Sequence, residues 1–227
     1  MSSAPLPPSP YEAPGFYDRA IAEGRHRAIV GGRWDETGRV QMGLLRDHGL
    51  HSHHHLLDIG AGALRLGCKA IPYLCPGHYW ATDASREILL AGYERELVEV
   101  PPAQRPDPAQ LIGDPGFDFP GVSDAITHAI CFAVFPHLAP GYLDRALTSL
   151  RRFPALELFA FTVFLAPEEA AGAPYRQADG VVTHPGKPPW HRPEAEVRTV
   201  AEGLGWQLTR DDRMLPRGQV LFLARRG

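Results

Sequence analysis

Two glycines and an aspartate carry the most chemistry-specific spacing in this chain. Leu57-Asp58-Ile59-Gly60-Ala61-Gly62 ends a short apolar run at a glycine turn, and Asp83 closes the next apolar run 21 positions beyond Gly62. Glycines at the carboxyl end of a strand let the backbone turn tightly and let a ligand approach the peptide with no Cβ in the way. An acidic residue about 20 positions later accepts hydrogen bonds from ribose hydroxyls. A dinucleotide fingerprint needs another glycine three positions after Gly62, where Arg65 stands, so the spacing points to a nucleoside and away from NAD. A tight strand-to-helix turn followed by a helix-capping aspartate is the purely structural alternative.

The elements that must position these residues alternate. Apolar runs at 56–59, 79–82, 111–112, 125–132, 156–165, 206–210 and 220–224 predict strands, and helical patterns fall at 63–74, 85–98, 143–151 and 193–204. Strands alternating with helices predict an α/β, Rossmann-like fold with a mostly parallel seven-stranded sheet and helices on both faces. Three regions are expected along the chain: a disordered Pro-rich tail at 1–15, a helical N-terminal cap at 16–50, and the Rossmann-like domain at 51–227. Residues 167–192 hold five prolines with Tyr175, His184, Trp190 and His191, and predict a structureless lid loop, since long loops in compact domains are usually functional or disordered. His51, His53, His54 and His55 suggest a metal site. Strand alternation, however, sends neighbouring side chains to opposite faces, and no Cys or carboxylate pattern completes a ligand set. A solvated loop with no metal is therefore the expectation.

Asp58-x-Gly60-x-Gly62 with Asp83 resembles motifs I and II of the class I S-adenosylmethionine (SAM)-dependent methyltransferases. Gly60-Ala61-Gly62-Ala63-Leu64-Arg65-Leu66-Gly67, followed by Tyr73-Leu74-Cys75-Pro76-Gly77-His78-Tyr79, is similar to a bacterial subgroup with G-x-G-x-L-R-x-G and Y-L-x-P-G-x-Y. That subgroup also tends to have segments like Arg25-His26-Arg27 to Trp34-Asp35-Glu36, Phe135-Pro136-His137-Leu138 and Pro216-Arg217-Gly218-Gln219. Leu64 stands where many methyltransferases have a third glycine, and Phe132 and Ala133 where many have polar residues.

The resemblance implies SAM as cofactor, with Asp58, Gly60, Ala61 and Gly62 around its methionine and ribose portions and Asp83 on the ribose. Arg65 faces the methionine carboxylate or packs on a helix. Asp114 meets the adenine amino group or simply orders its turn. His137 takes a proton from the acceptor or orders its loop. His26 and Trp34 close over the cofactor or pack the cap. With Phe132, they and the lid residues Tyr175, His184, Trp190 and His191 are candidates for the acceptor pocket.

A formal net charge of −3 gives no general attraction to nucleic acid or anionic membrane, and favours a small-molecule acceptor such as a sugar, amino acid or specialised metabolite. Three dispersed cysteines suit reduced thiols, and no signal or spanning segment is evident, so a cytoplasmic protein is expected. Oligomeric state is not encoded in any visible pattern. Two other functions fit the same residues: a SAM-dependent enzyme that attacks another carbon of the sulfonium or cyclises it, and a degenerate cofactor-binding module without turnover.

Overall fold

A computed structural model describes Tyr11, Ala13 and residues 15–227. Most of the expected tail at 1–15 lies outside the described residues. Tyr11 is half-buried, its ring 5.0 Å from Phe16 and 6.3 Å from Tyr17. The chain forms two compact units, the first running to Ile130 and adding Arg152–Leu156, the second made of Cys131–Arg151 and Glu157–Gly227.

The first unit opens with helices α1 (Asp18–Ala22), α2 (His26–Ile29) and α3 (Trp34–Asp47), in the stretch read as a cap. The inner face of α3 buries Thr37, Gly38, Gln41, Leu44 and Leu45. Strand β1 (Leu56–Ile59) is buried throughout. Next come α4 (Gly67–Ala70), β2 (Tyr79–Asp83), α5 (Arg86–Glu96), β3 (Leu111–Gly113) and β4 (His128–Cys131), within which the chain leaves this unit. The strand order is β3-β2-β1-β4. β1, β2 and β3 are parallel, so Ile59 pairs with Thr82 and Asp83 with Gly113 at their carboxyl ends. Parallel strands buried on both faces read as the continuous apolar runs seen here. Ser85 caps α5, its hydroxyl accepting from Ile88 N.

The helix expected over 63–74 shrinks to one turn. Leu64 sits in the left-handed region at φ 64°, which no α-helix accommodates, and Pro72 has no N–H to extend the turn.

In the second unit, amphipathic α6 (Gly141–Leu150) buries Tyr142, Leu143, Ala146, Leu147 and Leu150. Strand β5 (Leu158–Leu165) pairs antiparallel with β10 (Val220–Arg226), which pairs antiparallel with β9 (Trp206–Asp211). Phe159, Phe161 and Phe222 stack in series across β5 and β10. Helix α7 (Glu194–Gly203) precedes β9, and the buried indole of Trp206 donates to Leu147 O.

The structureless lid expected at 167–192 is a folded segment instead. β6 (Tyr175–Arg176) and β7 (Val182–Thr183) form a hairpin, and β8 (His191–Arg192) lies parallel to the end of β5. These two-residue strands are held by side chains that leave no periodic trace: Thr183 Oγ1 donates to Tyr175 O, and Gln177 Nε2 donates to both Thr183 Oγ1 and Leu165 O. Among the described residues no helix is long and apolar enough to cross a membrane.

Candidate active site

The glycine turn is built by its neighbours as much as by its own residues. Gly60 and Gly62 adopt φ 70° and 54°, and the amides of Gly60 and Ala61 both donate to Thr82 O. Gly62 N donates to Asp83 Oδ2 at 2.9 Å, and Ser85 N donates to Oδ1 at 3.2 Å. The acid that the spacing singled out therefore clamps the turn directly. A Cβ at Gly62 would sit 2.7 Å from Val30 Cγ1, so the cap rests on the turn where a glycine is required. From the other side α5 presses in: a Cβ at Gly92 would lie 2.3 Å from Ala63 O. Leu64 keeps the left-handed conformation without being a glycine, and is fully buried. That conformation costs a non-glycine residue roughly 1–2 kcal/mol, which burial of the leucyl side chain offsets.

Both aspartates are almost enclosed. Burial pushes Asp83 up to about 6 against the pull of the amides it accepts from. Burial pushes Asp58 up to about 7, opposed by the Tyr79 hydroxyl, which donates to Asp58 Oδ2 at 2.7 Å, and by the Arg65 charge. Asp58 is thereby stapled to β2. Arg65 Nη1 donates to Val30 O and Gly32 O and ties the cap to the turn, while its Nε is shielded from solvent with no hydrogen-bond partner among the described residues. Asp114 accepts from Asp118 N and Phe119 N, and so orders the turn after β3. Its own N–H donates to Asp83 O at 2.7 Å, which brings the two acids' backbones together.

The cap residues divide. Trp34 joins the apolar cluster of Tyr17, Ala63 and Ile88, together with Tyr11, Ile21, Ile29 and Val30. His26 lies on α5: its Nε2 is 2.6 Å from Glu96 Oε1, and Arg95 approaches its Nδ1. Glu96 also takes both Arg27 donors, and these ion pairs hold its carboxyl below the usual range although burial opposes them. Tyr11 and Tyr17 carry no motif signal, yet burial, and then the Asp83 charge, raise their hydroxyls, which places them by the acid.

In the second unit the decisive residue is Ala133, held at φ 60° just after β4. Its N–H donates to Thr162 Oγ1 at 2.7 Å, and that hydroxyl donates to Gln219 Oε1 at 2.7 Å. Gln219 belongs to the late motif, whereas Thr162 sits unmarked inside an apolar strand. Phe132 is buried beside Ala133. His137 ends the turn Phe135–His137; burial first, then the charge of Arg217, hold its imidazole below the usual histidine value and thus neutral at pH 7. Trp190 N donates to Pro136 O, and Trp190 lines a small apolar recess with Phe135, Leu138, Leu143 and Phe164. His191 is committed internally, Nδ1 to Thr183 Oγ1 and Nε2 to Ala171 O. Tyr175 lies edge-on to His191, and His184 bridges to Trp190. Arg192 is buried and bonded to Asp144, Glu196 and Pro140 O. These bonds tie the segment to its own unit through side chains.

Solved structures share this architecture. The magnesium protoporphyrin IX methyltransferase of Synechocystis PCC 6803 with bound SAH superposes with TM-score 0.63 at 14% identity, over 93% of this chain and 96% of that one. Human N-acetylserotonin methyltransferase in complex with SAM gives 0.62 at 16% identity, over 95% of this chain and 59% of that one. A methyltransferase complexed with the Haloferax volcanii Trm112 activator gives 0.61 at 18% identity, over 92% and 97%. The fold is that of the class I methyltransferases. No family model and no curated protein matches the sequence.

Proposed function

We propose that this chain binds SAM and transfers its methyl group to a small-molecule acceptor. The observation that carries the reading is the glycine turn clamped by Asp83: two left-handed glycines and a carboxylate with lone pairs to spare, at the carboxyl ends of β1 and β2. Ligands of open α/β sheets bind at that edge. The backbone of Gly60–Gly62 would hold the methionine and ribose portion, and Asp83 the ribose hydroxyls. The unsatisfied Nε of Arg65 suits an anionic group such as a carboxylate. The fold likeness to SAM- and SAH-bound enzymes supports the same ligand.

SAM supplies a methyl group already activated by the sulfonium charge. The chain's part is to fix the acceptor on the line of displacement and exclude water. His137, neutral at pH 7, takes the proton of a hydroxyl or amine acceptor, while Phe132, Trp190 and the segment 167–192 supply apolar surface for it. The net charge of −3 favours a small acceptor over a nucleic acid.

The test is calorimetry with SAM, SAH (its demethylated product) and NAD, followed by mass spectrometry of products. Binding of SAM and SAH without NAD is expected; tight NAD binding and no SAM binding would overturn the reading. The apolar Phe132–Ala133 pair, its phenylalanine buried and its alanine half-buried, favours one second reading, in which SAM itself is cleaved or cyclised. Products formed from SAM alone would decide for it, and binding with no turnover on any acceptor would decide for a binding module.

A further inference from the structure

At the opposite end of β1 from the glycine turn, the segment before that strand gathers histidines that the apolar pattern did not connect. Residues 52–54 form a turn, so strand alternation does not separate their side chains. The His53 and His54 rings lie 4.3 Å apart, His51 and His54 5.5 Å, and His51 and His53 5.8 Å. The fourth member comes from β4: the buried His128 ring lies 4.5 Å from His54, with a nitrogen of each within 4.8 Å of the other. Two imidazoles on one ion, with metal–nitrogen bonds of about 2.0–2.1 Å, have ring centres roughly 5 Å apart. The His54–His128 pair lies near that spacing, and the exposed rings of His51 and His53 stand within a side-chain rotation of it.

We propose that His54 and His128, with His51 and His53, form a binding site for one divalent transition-metal ion such as Zn²⁺. The hydrogen bonds around the rings prepare them for it. Thr127 Oγ1 donates its proton to His55 O, so at its 3.1 Å contact with His128 Nδ1 the ring nitrogen is the donor. His128 is thereby fixed with Nε2 as its basic nitrogen, the arrangement in which metal-binding histidines are usually held. His51 N donates to His54 Nδ1 at 3.0 Å, which marks that nitrogen as a lone pair; the ion takes the place of this N–H. His78 Nδ1 braces the turn through His53 O, and its ring stacks 3.7 Å from His55, which faces away from the set. His51 and His53 are exposed and free to swing, while His54 and His128 supply the fixed pair. Imidazole ligands suit Zn²⁺, Ni²⁺ and Cu²⁺ over Mg²⁺ or Ca²⁺.

Co²⁺ titrated into the full-length, untagged protein, followed by its visible absorption, tests the site, with Zn²⁺ competing it out. One ion per chain is expected, and Zn²⁺ should raise Tm as any ligand of the folded state does. His54→Ala should weaken Co²⁺ binding by at least about tenfold, the scale that even supporting residues of metal sites reach. The exposed pair H51A/H53A, whose folding is not at stake, should weaken it in the same direction, and Cys75→Ser should not. The proposal is overturned if no Co²⁺ binds, if His54→Ala and H51A/H53A leave the affinity unchanged, or if Cys75→Ser abolishes binding. SAM affinity should be the same in all three variants, so the outcome is independent of the methyltransferase reading.

Discussion

The ends of β1 and β4 solve one problem in two ways. Each places a left-handed residue just beyond a strand and fixes it with a side-chain acceptor: Gly62 N on the Asp83 carboxylate, Ala133 N on the Thr162 hydroxyl. The first acceptor is ionisable, shared with Ser85 N, and set in the neighbouring strand of a βαβ unit. The second is neutral, and relays to Gln219, 57 residues away, before its proton is satisfied. A charged acceptor close to its glycine makes a stiff, chemically recognisable site. A neutral relay between distant residues holds its turn equally well and leaves the neighbouring side chains open to variation.

Breaking the first clamp should have the largest effect. Gly62→Ala forces a Cβ into Val30 at a left-handed position, so strain of roughly 1–2 kcal/mol and overpacking of roughly 1–3 kcal/mol combine. SAM affinity and Tm should both fall sharply. Adding Val30→Ala should return the overpacking part alone, as calorimetry on the double variant would register; no recovery would mean Val30 is not what the turn presses against.

Asp83→Ala comes next. Losing a charged acceptor costs roughly 1.5–3 kcal/mol per bond, and the loss should fall on SAM affinity more than on folding. Unchanged affinity in a folded variant would remove Asp83 from the site.

The pH response is smaller and has two opposite signs. With its value raised to about 6, Asp83 holds its proton longer folded than unfolded, so its contribution to stability is fully present below the ordinary aspartate range and is lost as pH rises through about 6. Ribose hydroxyls need the carboxylate, so SAM affinity moves the other way and should fall about tenfold by about pH 5, one unit below that value. Parallel trends in denaturation and SAM titrations would refute the assignment.

Thr162→Val should do least to binding. It removes the acceptor for Ala133 N and a bond worth about 1 kcal/mol. Turnover should drop while SAM affinity stays; a loss of SAM affinity instead would mean the two strand ends are not separable.

What was legible in the chain follows the same division. The glycine turn, Asp83 and the strands β1 and β2 rest on local apolar runs and on spacing within one βαβ unit. The cap was legible as helices, but the Glu96 anchor for His26 and Arg27 lies 70 residues away on α5 and carries no pattern. β6 to β8 were hidden because two-residue strands have no period to detect; Thr183, Gln177 and His191 hold them instead. Thr162 was hidden because a lone threonine in Leu158–Leu165 reads as an ordinary strand residue. The histidine cluster was half visible, since His128 joins it only through folding.

Leu64 has a consequence for motion. A glycine in that corner would leave the unfolded chain many more conformations, and the folded corner would open easily into any of them. A leucine enters the left-handed well at a cost, but its side chain is fully enclosed, so leaving the well means dragging a buried group out of the interior. The corner after the glycine turn is thus a latch with few alternatives. Backbone order parameters should stay high from Ala61 to Leu66 with or without ligand, and any rearrangement on binding should come from the side chains and the cap above it.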